Sequence, residues 1–213
     1  MKNLYKIIPV VLLFFLSAGC KSIIKKAYGV KDPKFETIQT ASNYLEKYSV
    51  ENENLWITRD FNSYASLLNS KEPSMSFPDA YFFNSQGKFL DYRKSPEECS
   101  ANVEGFINEL SEIIHTKLTG ALSIDYFLEQ VYDKNLQAAK LDSKVDGYVV
   151  ITWSIFMGDK LNKEKAFDWV SLIKKLNDEG LVIEYFLLNL DPQKSWGLTQ
   201  EQEEELLSQF KFK

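Results

Sequence analysis

Two cysteines and one histidine are all that this 213-residue chain holds of the residues most used for thiol chemistry and metal binding. A conventional zinc site draws its ligands from several such residues, so His115 alone excludes one of that kind, and nothing in the sequence implies a cofactor. The G-x-S-x-G, H-E-x-x-H, Walker A and dinucleotide patterns are all missing. A serine hydrolase that used His115 with partners distant in sequence remains formally open, although no particular serine is indicated. Positive charge is also short. The chain carries 25 basic and 30 acidic residues, a formal net charge of −5, and no strong basic patch that would make nucleic acid its partner.

The longest stretch without charge lies at the start. MKNLYK carries Lys2 and Lys6 and no acid, and Ile7 to Gly19, IIPVVLLFFLSAG, carries no charge. A basic head, a short apolar core and small residues before a cut site make a secretory signal. As a helix this run rises only about 20 Å, too little for a hydrocarbon core of roughly 30 Å. It reads as a signal rather than a permanent span.

LSAGC, Leu16 to Cys20, resembles the lipobox of bacterial lipoproteins, an aliphatic residue and two small residues before a cysteine. The family prefers leucine three residues before the cysteine. Here Ser17 holds that place and Leu16 stands one further out. The resemblance implies cleavage between Gly19 and Cys20, a diacylglycerol on the Cys20 sulfur and acylation of the new amino group. Two or more acyl chains anchor stably where one does not. The plainer alternative is an ordinary secretory signal that leaves Cys20 as a free thiol or disulfide partner.

The resemblance further implies a lipid-anchored protein of the bacterial cell envelope, with the membrane as its partner through Cys20. Lys21 lacks the acidic character that retains some lipoproteins in the inner membrane, which by analogy indicates the outer membrane. Lys21, Lys25, Lys26, Lys31 and Lys34 follow, opposed by Asp32. This tether either rests near anionic headgroups or is a solvated spacer. With Cys20 lipidated, Cys99 has no intramolecular disulfide partner, and an exported domain without disulfides stands on its core. A composition of 45% hydrophobic and 14% aromatic residues allows that. The expected organisation is a signal over 1–19, a tether over 20–35 and an α/β domain over 36–213, single or as two packed halves of about 36–115 and 116–213.

Periodicity sets the elements. FETIQTASNYLEKYSV puts Ile38, Ala41, Leu45 and Tyr48 on one helical face, and NLWIT reads as a strand. Asp60 caps a helix with Phe61, Tyr64, Ala65 and Leu68 inward. Pro73 and Pro78 make KEPSMSFPD a loop. DAYFFNSQGKFLDYR is a hairpin, and Ser95 to Glu98, SPEE, opens a helix that buries Cys99, Val103, Phe106, Ile107, Leu110 and Ile114. Helix is expected around IDYFLEQVYD and NLQAAKL. GYVVITWSI is a central strand, apolar on both faces. LNKEKAFDWVSLIKKLNDEG is the strongest helix, with Asn162 as its cap, Ala166, Trp169, Val170, Ile173 and Leu176 inward and Gly180 as its stop. LVIEYFLLNLD is a second buried strand, and Thr199 with Gln202 forms a capping box for the last helix. Strands alternating with helices, plus one hairpin, predict an α/β three-layer sandwich with a mixed central sheet.

Two of these segments are similar to parts of the thioredoxin fold. SFPDAYFFNSQGKFLDYR followed by a helix resembles its second half, in which a proline, cis in the family, precedes a strand, a glycine turn, a second strand and a closing helix. Pro78 is the matching proline. VVITWSIFMGDK, followed by a helix and LNLD, resembles the first half. The halves come in reversed order, so the resemblance implies either a permuted fold or two divergent units. Aligned through Trp153 and Gly158, the redox motif reads Met157, Gly158, Asp159 and Lys160. Pro78, Trp153, Met157 and Gly158 are the pocket that the resemblance implies. Dithiol exchange needs an attacking thiolate and a resolving cysteine. Met157 is a thioether with no proton to lose, Lys160 cannot resolve a mixed disulfide, and a fold alone does not carry an activity.

The remaining candidates have plain readings beside them. Cys99 near a helix start would gain thiolate character from the dipole, while its apolar neighbours suit a core cysteine. His115 near a helix end suits a cap. Glu201, Glu203, Glu204 and Glu205 fit an exposed helix start. Trp56, Trp153 and Trp169 fall in core patterns, whereas Trp196 before Gly197 is placed to present an aromatic from a loop. The expectation is a non-enzymatic binding or interaction module with a possible envelope protein partner. A single-cysteine thiol enzyme using Cys99 and a structural subunit of an envelope assembly are the alternatives.

Overall fold

The architecture described below is that of a computed structural model covering residues 28–70, 75–93, 102–115, 122–141 and 144–210. Gly19, Cys20, Pro73, the SPEE segment and Cys99 lie outside the described residues.

Long runs of β-branched and aromatic residues make the centre of the sheet. β5 (Gly147–Trp153) and β6 (Ile183–Asn189) pair in parallel over their whole length. β1 (Leu55–Thr58) extends the parallel set on β6. β2 (Asp79–Asn84) pairs antiparallel with β5, β3 (Phe89–Leu90) with β2, and β4 (Val131–Asp133) with β1. The six strands form one mixed sheet in the order β3-β2-β5-β6-β1-β4. Helices pack on both faces of this central pair, which is why its runs are apolar without alternation.

Two hydrophobic clusters divide the strand residues by alternation. Ile57, Phe82, Val149, Ile151, Trp153 and Leu187 face one. Helices α1 (Ile38–Lys47) and α3 (Val103–Ile113) and the long helix after β5 close it with Ala41, Leu45, Val103, Ile107, Trp169 and Ile173. Trp56, Tyr81, Phe83, Val150, Phe186 and Leu188 face the other cluster, under α2 (Phe61–Leu68) and the single turn α4 (Asp125–Leu128). The long helix comprises α5 (Asp159–Asn162), a π-helical turn (Lys163–Phe167) and α6 (Asp168–Asp178). Gly180 at φ +101° ends it, and α7 (Gln200–Phe210) follows the last strand.

Four expectations are corrected. Asn162 does not cap the helix, because the helix starts three residues earlier at Asp159, behind Gly158. Asn162 is buried inside it, and its Nδ2 donates to Ser154 O at 2.7 Å and to Tyr44 Oη at 3.1 Å. Phe61 turns outward at 38% exposure, while Tyr64 and Leu67 take the core face of α2. The IDYFLEQVYD segment is helical for only one turn before β4, whose Val131, Tyr132 and Asp133 extend along β1. NLQAAKL is not helical: Asp133 Oδ1 accepts from Asn135 N and Gln137 N, and the chain turns back so that Ala138 bridges Tyr132. Pairing of Val131–Asp133 with the edge of β1, and of Ala138 with Tyr132, outweighed helix propensity in these segments.

Candidate functional site

β1, β5 and β6 run the same way, so Thr58, Trp153 and Asn189 end at one edge of the sheet. Open α/β sheets take their ligands outside such carboxyl ends. Here the position is dominated by Asp191, two residues beyond β6 and 1% exposed. Its Oδ1 accepts from Ser154 Oγ at 2.8 Å and Phe156 N at 3.4 Å. Its Oδ2 accepts from Ile155 N and Asn189 Nδ2, both at 2.7 Å. The two backbone donors belong to a 3-10 turn, Ile155–Met157. Successive N–H groups in such a turn make a concave site for an anion, and the chain fills it with its own carboxylate.

Gln193 Nε2 donates to Asn189 Oδ1 and to Asp191 O, both at 2.8 Å, which draws the loop after β6 back over the strand end. Burial pushes the Asp191 carboxyl up to about 6, against the opposing pull of the Ile155 N–H, Asn189 and Ser154.

A strap of chain crosses this edge. Lys31 N donates to Phe156 O at 2.7 Å, Glu36 N to Pro192 O at 2.7 Å, and Lys194 N to Glu36 O at 2.8 Å. Glu36 is buried against Gln193 as a parallel bridge, with Lys34 Nζ 3.2 Å from its carboxylate. At Gly158, φ +87°, a Cβ would stand 2.5 Å from Tyr28 O and 2.6 Å from Gly29 O. Both the conformation and the strap therefore demand glycine. Lys160 Nζ covers the Tyr28 ring at 5.2 Å.

The four residues named for a pocket lie around the same edge. Pro78 follows a cis peptide bond and directly precedes β2. Asp79 N donates to Thr152 Oγ1 at 3.0 Å, which donates in turn to Ser76 O at 2.7 Å. The Phe77 ring meets Phe156 edge-on at 5.6 Å, so the cis loop and the turn after β5 are in contact. Trp153 is fully buried and stacks on Tyr44 at 5.6 Å, which makes it core. Met157 is half-buried, and Gly158 lies beneath the strap. Asp159, at the start of α5, accepts from Lys47 Nζ at 2.7 Å and Tyr44 Oη at 2.9 Å. The Lys47 ammonium, with the Tyr44 hydroxyl, holds its carboxyl down at about 2.

No family model matches this chain, and neither does any curated protein or solved structure.

The arrangement stores its chemistry internally. Ser154 Oγ is fully buried with its proton directed at a carboxylate that already accepts three other hydrogen bonds. Burial raises the basicity of this carboxylate, but the hydroxyl it faces is sealed from solvent. His115 is exposed at the end of α3. Among the described residues no three of His, Cys, Asp and Glu gather as a metal site, and no helix is long and apolar enough to cross a membrane.

Asp191, Ser154, Asn189, Gln193 and Glu36 escape the sequence reading. One signal was available. Asn189, Asp191 and Gln193 alternate directly after a buried apolar run, so they share one side of an extended chain.

Trp196 is half-buried, with Nε1 donating to Thr58 O at 3.2 Å. Thr199 and Gln202 make both bonds of the capping box, at 2.9 and 3.3 Å. Glu201, Glu204 and Glu205 are exposed, and Glu203 pairs with Lys194.

Proposed function

We propose that this chain is a lipid-anchored protein of the bacterial cell envelope, held through Cys20 in the outer membrane, and that its domain is a non-enzymatic binding or interaction module on a permuted thioredoxin-like scaffold. The lipobox resemblance at Leu16 to Cys20 supports the anchor. For the scaffold, the support is the strand order β3-β2-β5-β6 with the long helix between β5 and β6, the cis Phe77–Pro78 bond ahead of β2, and α3 following β3.

One observation carries the non-enzymatic reading. The crevice at the carboxyl ends of the parallel strands is occupied by the chain's own Asp191 carboxylate and covered by its own strap. A group sealed in this way cannot bind substrate without first unfolding its surroundings. The strap also ties the domain to the anchor. Only residues 21–27 separate Cys20 from Tyr28, and fully extended they reach no more than about 28 Å. Lipidation would therefore keep this edge close to the bilayer and leave the far faces for partners.

Intact mass of the protein extracted from its native membrane tests the anchor. A species beginning at Cys20 and carrying lipid mass is expected, with Cys20→Ser releasing the chain from membranes. Retention of Cys20→Ser would overturn the anchor. Turnover by the purified protein that Asp191→Asn abolishes would overturn the non-enzymatic reading.

A further inference from the structure

Away from the strand-end edge, a groove of about 260 Å³ lies between the start of α2 and the first turns of α7, lined by Phe61, Leu198, Gln202, Glu205 and Leu206. Local geometry builds it. Asp60 accepts from Ser63 N at 2.7 Å and fixes the start of α2 so that Phe61 projects outward. Gly197, in the left-handed region at φ +67°, turns the chain out of the 3-10 turn Lys194–Trp196 and carries Leu198 across. The capping box at Thr199 then sets the direction of α7.

The Phe61 wall is supported from behind by Trp196, which does not itself line the groove. The Trp196 ring lies 6.1 Å from Phe61, 5.0 Å from Tyr64 and 5.9 Å from Phe35, so the wall loses little freedom when something lands on it. The one charged side chain lining the groove is Glu205, on a helix whose other charges are also negative. α7 holds Glu201, Glu203, Glu204 and Glu205 and no lysine or arginine. Lys194 pairs with Glu203 alone, while Glu204 receives an uncharged donor, Gln200 Nε2 at 2.8 Å.

We infer that this groove docks a segment of a partner protein in which an apolar side chain, seated on Phe61, Leu198 and Leu206, is flanked by lysine or arginine that meets Glu205. The charge decides between occupants. A fatty chain would use the apolar floor and leave the acidic rim unpaired, and an anionic lipid surface would be repelled by it. The inference stands apart from the proposed anchor, because groove and rim belong to residues far from Cys20 in sequence and need no lipid.

The test uses the full chain in nanodiscs of zwitterionic lipid, with empty nanodiscs as the blank. The probe is a fluorescent eight-residue peptide with a central Trp-Leu pair flanked by two lysines on each side. Its counterpart carries glutamates instead. Anisotropy should show the lysine peptide binding at least about tenfold more tightly than the glutamate peptide, with affinity falling as salt rises. Phe61→Ala and Glu205→Lys should each weaken it by about tenfold. Both positions are exposed, so an unchanged melting temperature is the expected control, and Glu205→Gln serves if the lysine variant melts early. Equal binding of the two peptides, no binding of the lysine peptide, or binding indifferent to both substitutions would overturn the inference. So would sedimentation showing a dimer that Phe61→Ala dissociates, since the groove would then belong to a second copy.

Discussion

The carboxyl ends of the parallel strands and the groove between α2 and α7 are both built from chain just past a strand, and they differ in what completes them. At the strand ends, buried donors meet a buried carboxylate from the same chain, and a strap lies across the top. In the groove, an apolar floor and an acidic rim face outward. Buried polar groups left without a partner cost the fold stability. An apolar floor under a charged rim costs the fold little and is free to await a partner. The first region should therefore answer to stability measurements and the second to binding measurements.

The sharpest break of that contrast is Asp191→Ala. It leaves the Ile155 N–H, Ser154 Oγ and Asn189 Nδ2 buried without their acceptor. A loss of about 3–5 kcal/mol is expected from urea unfolding, and a loss below about 1 kcal/mol would mean that the strand-end network does not hold the fold.

A pH series examines the same group without removing it. Its carboxyl sits at about 6 against an ordinary 3.8, so between these values the folded chain keeps a proton that the unfolded chain has released. Stability should fall as pH rises from about 4 to about 6 and stay level above, by roughly 3 kcal/mol in all from this group. Asp191→Asn should lose that component of the profile.

Gly158→Ala separates the strap from the network beneath it. The new Cβ meets the Tyr28 and Gly29 carbonyl oxygens at a backbone conformation suited to glycine. A cost of about 1–3 kcal/mol is expected, together with faster proteolytic cutting within Tyr28 to Glu36. Cutting at the wild-type rate would show that the strap is not held at this glycine. Phe61→Ala, at an exposed position, should change stability by no more than about 0.5 kcal/mol. A larger loss would place Phe61 with the groups that the fold itself needs.

The sheet was legible where one residue type runs long. Val149 to Trp153 and Tyr185 to Asn189 are buried on both faces, and the DAYFFN and FL segments around Gly87 announce a hairpin. Helices on the first cluster were legible through period, as Val103, Phe106, Ile107 and Leu110 show. The second cluster was harder, because α4 is a single turn and β4 only three residues. Tertiary pairing decided these short elements, and periodicity has no purchase on them. The strand-end site was hidden for a related reason. Glu36, Ser154 and Asp191 are brought together by strand order, and no local pattern connects residues so far apart.

That strand order also dictates when the molecule can take shape. β1 and β2 are made early, yet their long partners, β6 and β5, are made last. A ribosome that has delivered everything up to Val145 has supplied the β2–β3 hairpin and the short β1–β4 pair, but neither strand of the sheet's centre. Such distant pairings are slow to close. The nascent chain therefore stays without its core until its last quarter appears. Under the export proposed above, this delay would keep the chain in a form that can still be threaded through a membrane.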